Sequence, residues 1–85
     1  MGWRIVVQPN GKYARFSDAV DNFTDYDMTR DEAFELCRNL SGVGTAKYKL
    51  GQAQKNLDRF EHEIETIKEA HGNEEAESVR RELST

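Results

Sequence analysis

Apolar and polar residues alternate over the first seventeen positions, and from Ala33 onward apolar residues recur every three or four. The change of period predicts a β-hairpin followed by helices. Asn10-Gly11 is the pair preferred in a two-residue hairpin turn, because both central positions need φ > 0. A turn there opposes Pro9 to Lys12, Val7 to Ala14 and Ile5 to Phe16. Trp3, Ile5, Val7, Ala14 and Phe16 then share the core face, and Arg4, Val6, Gln8, Tyr13 and Arg15 share the other. A lone hairpin is unstable in water, so a helix must cover its apolar face. Over residues 18–28 the pattern is less decided between a short turn capped by Ser17 and a third strand. The aspartates disfavour a strand and favour a turn and loop.

Thr29-Arg30-Asp31-Glu32 has the form of a capping box, and its two acids suit the positive end of a helix dipole. The apolar stripe Ala33, Phe34, Leu36, Cys37 and Leu40 continues the helix to about residue 41, and Gly42 ends it. Val43, Ala46, Leu50, Ala53, Leu57, Phe60, Ile64, Ile67 and His71 then follow one another at alternating spacings of three and four. That is a heptad seam, and it predicts a coiled-coil-like helix over 45–71, roughly 40 Å long at ~1.5 Å per residue. Gly72 breaks it, and Ala76, Val79 and Leu83 mark a short final helix over 74–83. The expected fold is α+β, a single domain over 1–85: an N-terminal β-hairpin (3–17), a short helix (30–41), the long helix (45–71) and a short C-terminal helix (74–83).

Such a seam packs either inside the monomer or against a second chain. Charge favours the second. Lys47, Lys49, Lys55 and Arg59 occupy the first half of the long helix and glutamates the second, against the helix dipole; an antiparallel homodimer would lay basic on acidic. Its expected seam is Leu50, Ala53, Leu57, Phe60, Ile64 and Ile67, with Lys47 near the partner's Glu61 and Lys49 near the partner's Glu63.

Composition narrows the function. The 85 residues carry a net charge of −4, one third of them are charged, and 36% are hydrophobic. A chain this short has a thin core. The acidic balance argues against general nucleic-acid binding. The single Cys37 cannot form an internal disulfide and points to a reducing compartment; on the apolar stripe it reads as core rather than nucleophile. No apolar run reaches spanning length, and no signal peptide is expected. Met1-Gly2 opens like a myristoylation signal, but Val6 stands where that signal needs Ser or Thr.

Candidate chemistry is sparse. His62 and His71 have no cysteine or carboxylate at zinc-ligand spacing. Asp21, Asp25 and Asp27 lack the glycine and terminal glutamate of a calcium loop. No nucleophile-base pair or phosphate loop stands out, so neither an enzyme, a cofactor nor a metal is expected. Tyr13 and Arg15, on the open hairpin face, are the residues that would stack on a nucleic-acid base. Glu61, Glu65 and Glu69 stand at i, i+4 and i+8, where like charges repel by ~0.2–0.5 kcal/mol per pair. With Asp25 and Asp27 they form a candidate acidic surface for docking on a basic partner, or for mimicking nucleic-acid phosphates; the plainer reading is a solvated face.

The run WRIVVQPNGKYARFSDAVDNFTDYDMTRDEAFELC resembles small proteins of phage and prophage genomes, over roughly the hairpin and first helix. The resemblance carries no catalytic motif. It implies a bacterial cytoplasmic setting and a phage accessory role. The expected function is stoichiometric binding of a host protein, as an anti-CRISPR-like inhibitor of a defence system. The other expectations are a structural oligomerisation module and a nucleic-acid-binding regulator using the basic hairpin.

Overall fold

The computed structural model describes residues 2–85; Met1, and with it the start of the myristoylation-like signal, lies outside the described residues. The elements are β1 (Trp3–Val7), β2 (Tyr13–Ser17), β3 (Asn22–Met28), α1 (Arg30–Ser41), α2 (Val43–Lys55), α3 (Arg59–His71) and α4 (Asn73–Leu83). The fold is α+β, a three-stranded antiparallel sheet in the order β1-β2-β3 followed by four helices.

The hairpin forms with a register one residue away from the expected one. Trp3 faces Ser17, Ile5 faces Arg15, Val6 faces Ala14 and Val7 faces Tyr13. The cause is the turn. Its loop has three residues, Pro9-Asn10-Gly11, closed by Gln8 N–H donating to Lys12 O at 2.8 Å and Gly11 N–H donating to Gln8 O at 2.9 Å. Pro9 suits the second position of such a turn, Asn10 keeps a negative φ, and Gly11 alone takes the left-handed region, at φ 87°. The slip re-sorts the faces: Val6 now joins Ala14 and Phe16, while Ile5 joins Tyr13.

Both faces are therefore apolar, and each is covered by a pair of helices. On one side, Ile5 and Tyr13 pack with Ala33 and Cys37 of α1 and Ala46, Leu50 and Ala53 of α2. On the other, Val6, Ala14 and Phe16 pack with Phe60, Ile64 and Ile67 of α3 and Ala76 and Leu83 of α4. Cys37 is core, as its stripe predicts, and burial pushes its thiol pKa up. Tyr13 is no open platform for a base: it is buried, and its hydroxyl accepts from the Gln54 amide at 3.0 Å. Arg15 is held by Thr24 and Asp25 of β3.

Residues 22–28 form a strand, not a loop. Phe23 supplies the reason, since its ring lies edge-on to Phe16 at 5.3 Å and stacked on Phe60 at 5.8 Å. The aspartates are tolerated because β3 is an edge strand, where charge also discourages pairing with other chains. Asp21 and Asp27 adopt positive φ, at the turn into β3 and near its end. Asp27 accepts from the Gln8 and Asn10 side-chain amides, and these bonds hold its carboxyl below the usual range. Its contribution to stability is present above the ordinary carboxylate pKa and fades as pH falls through the lower folded value.

The capping box is present in full: Thr29 Oγ1 accepts from Glu32 N–H at 3.1 Å and Glu32 Oε1 accepts from Thr29 N–H at 2.8 Å. Thr29→Ala should lower stability by ~0.5–2 kcal/mol in denaturant unfolding. No loss would mean that α1 starts elsewhere. Gly42 and Gly72, at φ 93° and 98°, end α1 and α3.

The long helix is the main correction. The chain leaves α2 at Asn56 (φ −122°, ψ 65°) and re-enters a helix at Arg59. Asn56 eases the exit, its side-chain amide donating back to Gln52 O at 2.9 Å. A straight rod cannot cover both faces of one sheet, whereas a broken one crosses its edge and does so. Leu50 and Ala53 are thus buried on one face and Phe60, Ile64 and Ile67 on the other, each at most 2% exposed. Leu57, at the crossing, is left 65% exposed. The residues expected to form a dimer seam are taken up inside the chain, except Leu57. Within the chain Lys49 donates to Trp3 O, Glu63 meets Arg4 and Arg59, and Glu61 meets Arg80. Among the described residues no helix is long and apolar enough to cross a membrane.

Candidate functional site

The crossing from α2 to α3 passes the outer edge of β1. Hydrogen-bonded pairs alternate in an antiparallel ladder, and Gln8–Lys12 and Gly2–Asp18 are such pairs. The main-chain groups of Trp3, Ile5 and Val7 therefore point away from β2. Lys49 Nζ takes up one of them, donating to Trp3 O at 2.8 Å, and lies 4.4 Å from the Trp3 ring centre. Two hollows open along this edge, on either side of the crossing.

The first is a cleft of about 250 Å³, lined by Arg4, Ile5, Tyr48, Lys49, Gln52, Ala53, Asn56 and Arg59. Its charge is organised by Glu63. This side chain is 0% exposed, and one oxygen, Oε2, accepts from the Nε–H of both Arg4 and Arg59. The other oxygen, Oε1, is buried without a hydrogen-bond partner. A carboxylate without water or cations would be costly here, so the two guanidinium groups hold it in the core. Burial works against the charge on Arg4, and its bonds to Glu63 and Asp18 outweigh that, so Arg4 holds its proton more tightly than a free arginine. Arg4 also lies over the Phe16 ring at 5.2 Å.

The second hollow, about 400 Å³, is lined by Val7, Gln8, Pro9, Gly11, Leu57, Phe60 and Glu61. Leu57 is its exposed apolar rim. Glu61 also lines it, and Glu65 and Glu69 continue along the exposed side of α3 at successive steps of four.

The expected acidic surface is split. Glu61, Glu65 and Glu69 share one exposed side of α3, with Glu61 partly neutralised by Arg80 Nη1 at 2.5 and 2.6 Å. Asp25 and Asp27 belong to β3, where Asp25 pairs with Arg15 at 3.1 Å and Asp27 is tied to the hairpin loop. No hydrogen bond or ion pair among the described residues joins the two groups. A third groove separates β3 from α4, where Tyr26 donates to Glu82 at 3.2 Å; Glu82 pushes the phenol pKa up. His71 ends α3, its Nε2 2.9 Å from Val20 O. Among the described residues no group of three or more side chains is placed to hold a metal ion.

From the sequence, Arg4 and Tyr48 carry no functional expectation, and Lys49, Arg59 and Glu63 enter only through the charges and contacts of the expected dimer. Glu63 was legible in part. It falls three residues after Phe60 and four before Ile67, on the inward side of its helix, and four after Arg59. The others depended on the break at Asn56, which no glycine or proline announces. Comparison with models of known families, with curated proteins and with solved structures finds no match to this chain.

Proposed function

We propose that this protein acts by binding a host protein stoichiometrically, with no chemistry of its own, as a phage accessory inhibitor of a bacterial defence system. The phage setting rests on the resemblance of residues 3–37. The binding surface is Leu57, in the crossing just before α3, together with the exposed side of α3 that carries Glu61, Glu65 and Glu69. One observation carries this reading: Leu57, an apolar side chain 65% exposed, borders a hollow whose wall continues into that glutamate stripe. An apolar anchor beside one sign of charge suits a partner with a basic surface and an apolar side chain to insert. Asp25 and Asp27 are structural in this reading.

The test is co-purification from bacterial lysate with the unaltered chain, with Leu57→Asp, and with Glu65→Lys combined with Glu69→Lys. The unaltered chain should retain one stoichiometric partner, and both variants should lose it at least tenfold while melting as before. Salt should weaken the interaction, since the Debye length is ~10 Å at 0.1 M. Equal retention by all three chains would discard the α3 surface, and the absence of any stoichiometric partner would discard the reading.

A further inference from the structure

The cleft on the other side of the crossing is cationic in a chain of net charge −4. Arg4, Lys49 and Arg59 line it, and the carboxylates that touch them are Glu63 and Asp18. Asp18 occupies the Nη groups of Arg4. Glu63 holds Arg59 by its Nε alone, which leaves both Nη groups of Arg59 without a protein acceptor among the described residues. Lys49 donates once, to Trp3 O, and an ammonium has three donors. The helix behind the cleft adds Lys47 and Lys55 and carries no acid. The cleft is thus lined by a guanidinium fork held in place by a buried carboxylate and by a lysine whose ammonium rests on Trp3. A fork and an ammonium together match a phosphate group.

Tyr48 also lines the cleft, 67% exposed, the most exposed large hydrophobic residue of the described chain. Its ring contributes nothing to either core. A flat aromatic beside a phosphate-binding pair is the arrangement that holds a nucleotide, since any base can stack on it. At about 250 Å³ the cleft is below the ~300–1,000 Å³ of sites that enclose a drug-sized ligand, so a nucleotide would sit in it in part, with its base on the exposed Tyr48 ring.

We propose that the cleft between β1 and the α2–α3 crossing binds a 5′-phosphorylated nucleotide, its phosphate against Arg59 and Lys49 and its base on Tyr48. Glu63 is a positioning residue, acting through Arg59. The same chemistry is offered by a free nucleotide and by the 5′ end of a nucleic-acid strand. The site stands apart from the α3 surface, because the substitutions that test that surface leave Arg59 and Tyr48 in place.

Amide NMR titrations would use 5′-AMP, adenosine, inorganic phosphate, and a hexanucleotide with and without its 5′-phosphate. The 5′-AMP should give saturable shifts at residues lining the cleft. Arg59→Gln should weaken its binding by roughly 10–100-fold. Tyr48→Ala should weaken it by roughly 5–100-fold and leave inorganic phosphate unaffected. Tyr48 is exposed, so that variant keeps the fold even if Arg59→Gln proves unstable. Equal binding of 5′-AMP and the phosphorylated hexanucleotide supports the site with a free nucleotide sufficient as ligand. Binding of the phosphorylated hexanucleotide alone supports it with a strand end as ligand. No saturable shift with either at millimolar concentration, or equal shifts with adenosine, would overturn the proposal.

Discussion

Phe16→Ala should cost about 3–5 kcal/mol, the usual range for truncating a buried phenylalanine. Phe16 is 0% exposed and lies in the face covered by α3 and α4, with Phe23 edge-on to it and Arg4 over its ring. A chain of 85 residues has about 4–13 kcal/mol of stability in all, by the general scale of ~0.05–0.15 kcal/mol per residue. The variant should therefore lose between about a quarter and all of that stability and unfold at a much lower urea concentration. Urea unfolding followed by circular dichroism would measure it. Ile5→Ala, on the opposite face, removes a smaller side chain and should cost less. A near-native midpoint for Phe16→Ala would contradict its burial beneath α3 and α4.

The second large effect is expected at Glu63. Breaking a buried ion pair by removing one partner commonly costs ~3–5 kcal/mol, because a charge is left without compensation. Here the side chains left behind are Arg4 and Arg59, 29% and 37% exposed, which water reaches in part. The expected loss for Glu63→Ala is therefore lower, ~2–4 kcal/mol after that screening. Glu63→Leu should cost less than Glu63→Ala, because it fills the space and an apolar group is tolerated where Oε1 had no partner. If the two variants unfold at the same denaturant concentration as the unaltered protein, the carboxylate does not organise the cleft.

Local signals were legible in the sequence. The Thr29 capping box, the glycines at 42 and 72 and the stripe of Ala76, Val79 and Leu83 are short-range features, and the helices start and stop where these stand. Features that depend on what lies across the sheet were not. The Asn10-Gly11 pair suggests a two-residue loop, and only Pro9 argues for three. With both faces destined for burial, Trp3–Val7 offers no polar side to settle the register. The Phe23 strand looks too acidic until Phe16 and Phe60 are beside it. The heptad spacing runs unbroken through Asn56 because each half of it faces a core, and spacing alone does not say that they are different cores. The glutamate stripe was visible as a pattern. The cationic cleft was not, since it joins residues 4, 48, 49 and 59 across the break.

The two-sided sheet has a consequence for folding. Residues up to Asn56 contain the whole meander and the α1–α2 pair, enough to close one core. The other face, with Val6, Ala14 and Phe16, waits for α3 and α4. Until those helices dock, that apolar face is open on an otherwise assembled half. Arg4 spends the same interval without Glu63, its partner 59 residues downstream. The folding chain is thus most exposed to chaperones, and to a second copy of itself, in the interval before α3 and α4 dock, and on the face that the complete fold hides.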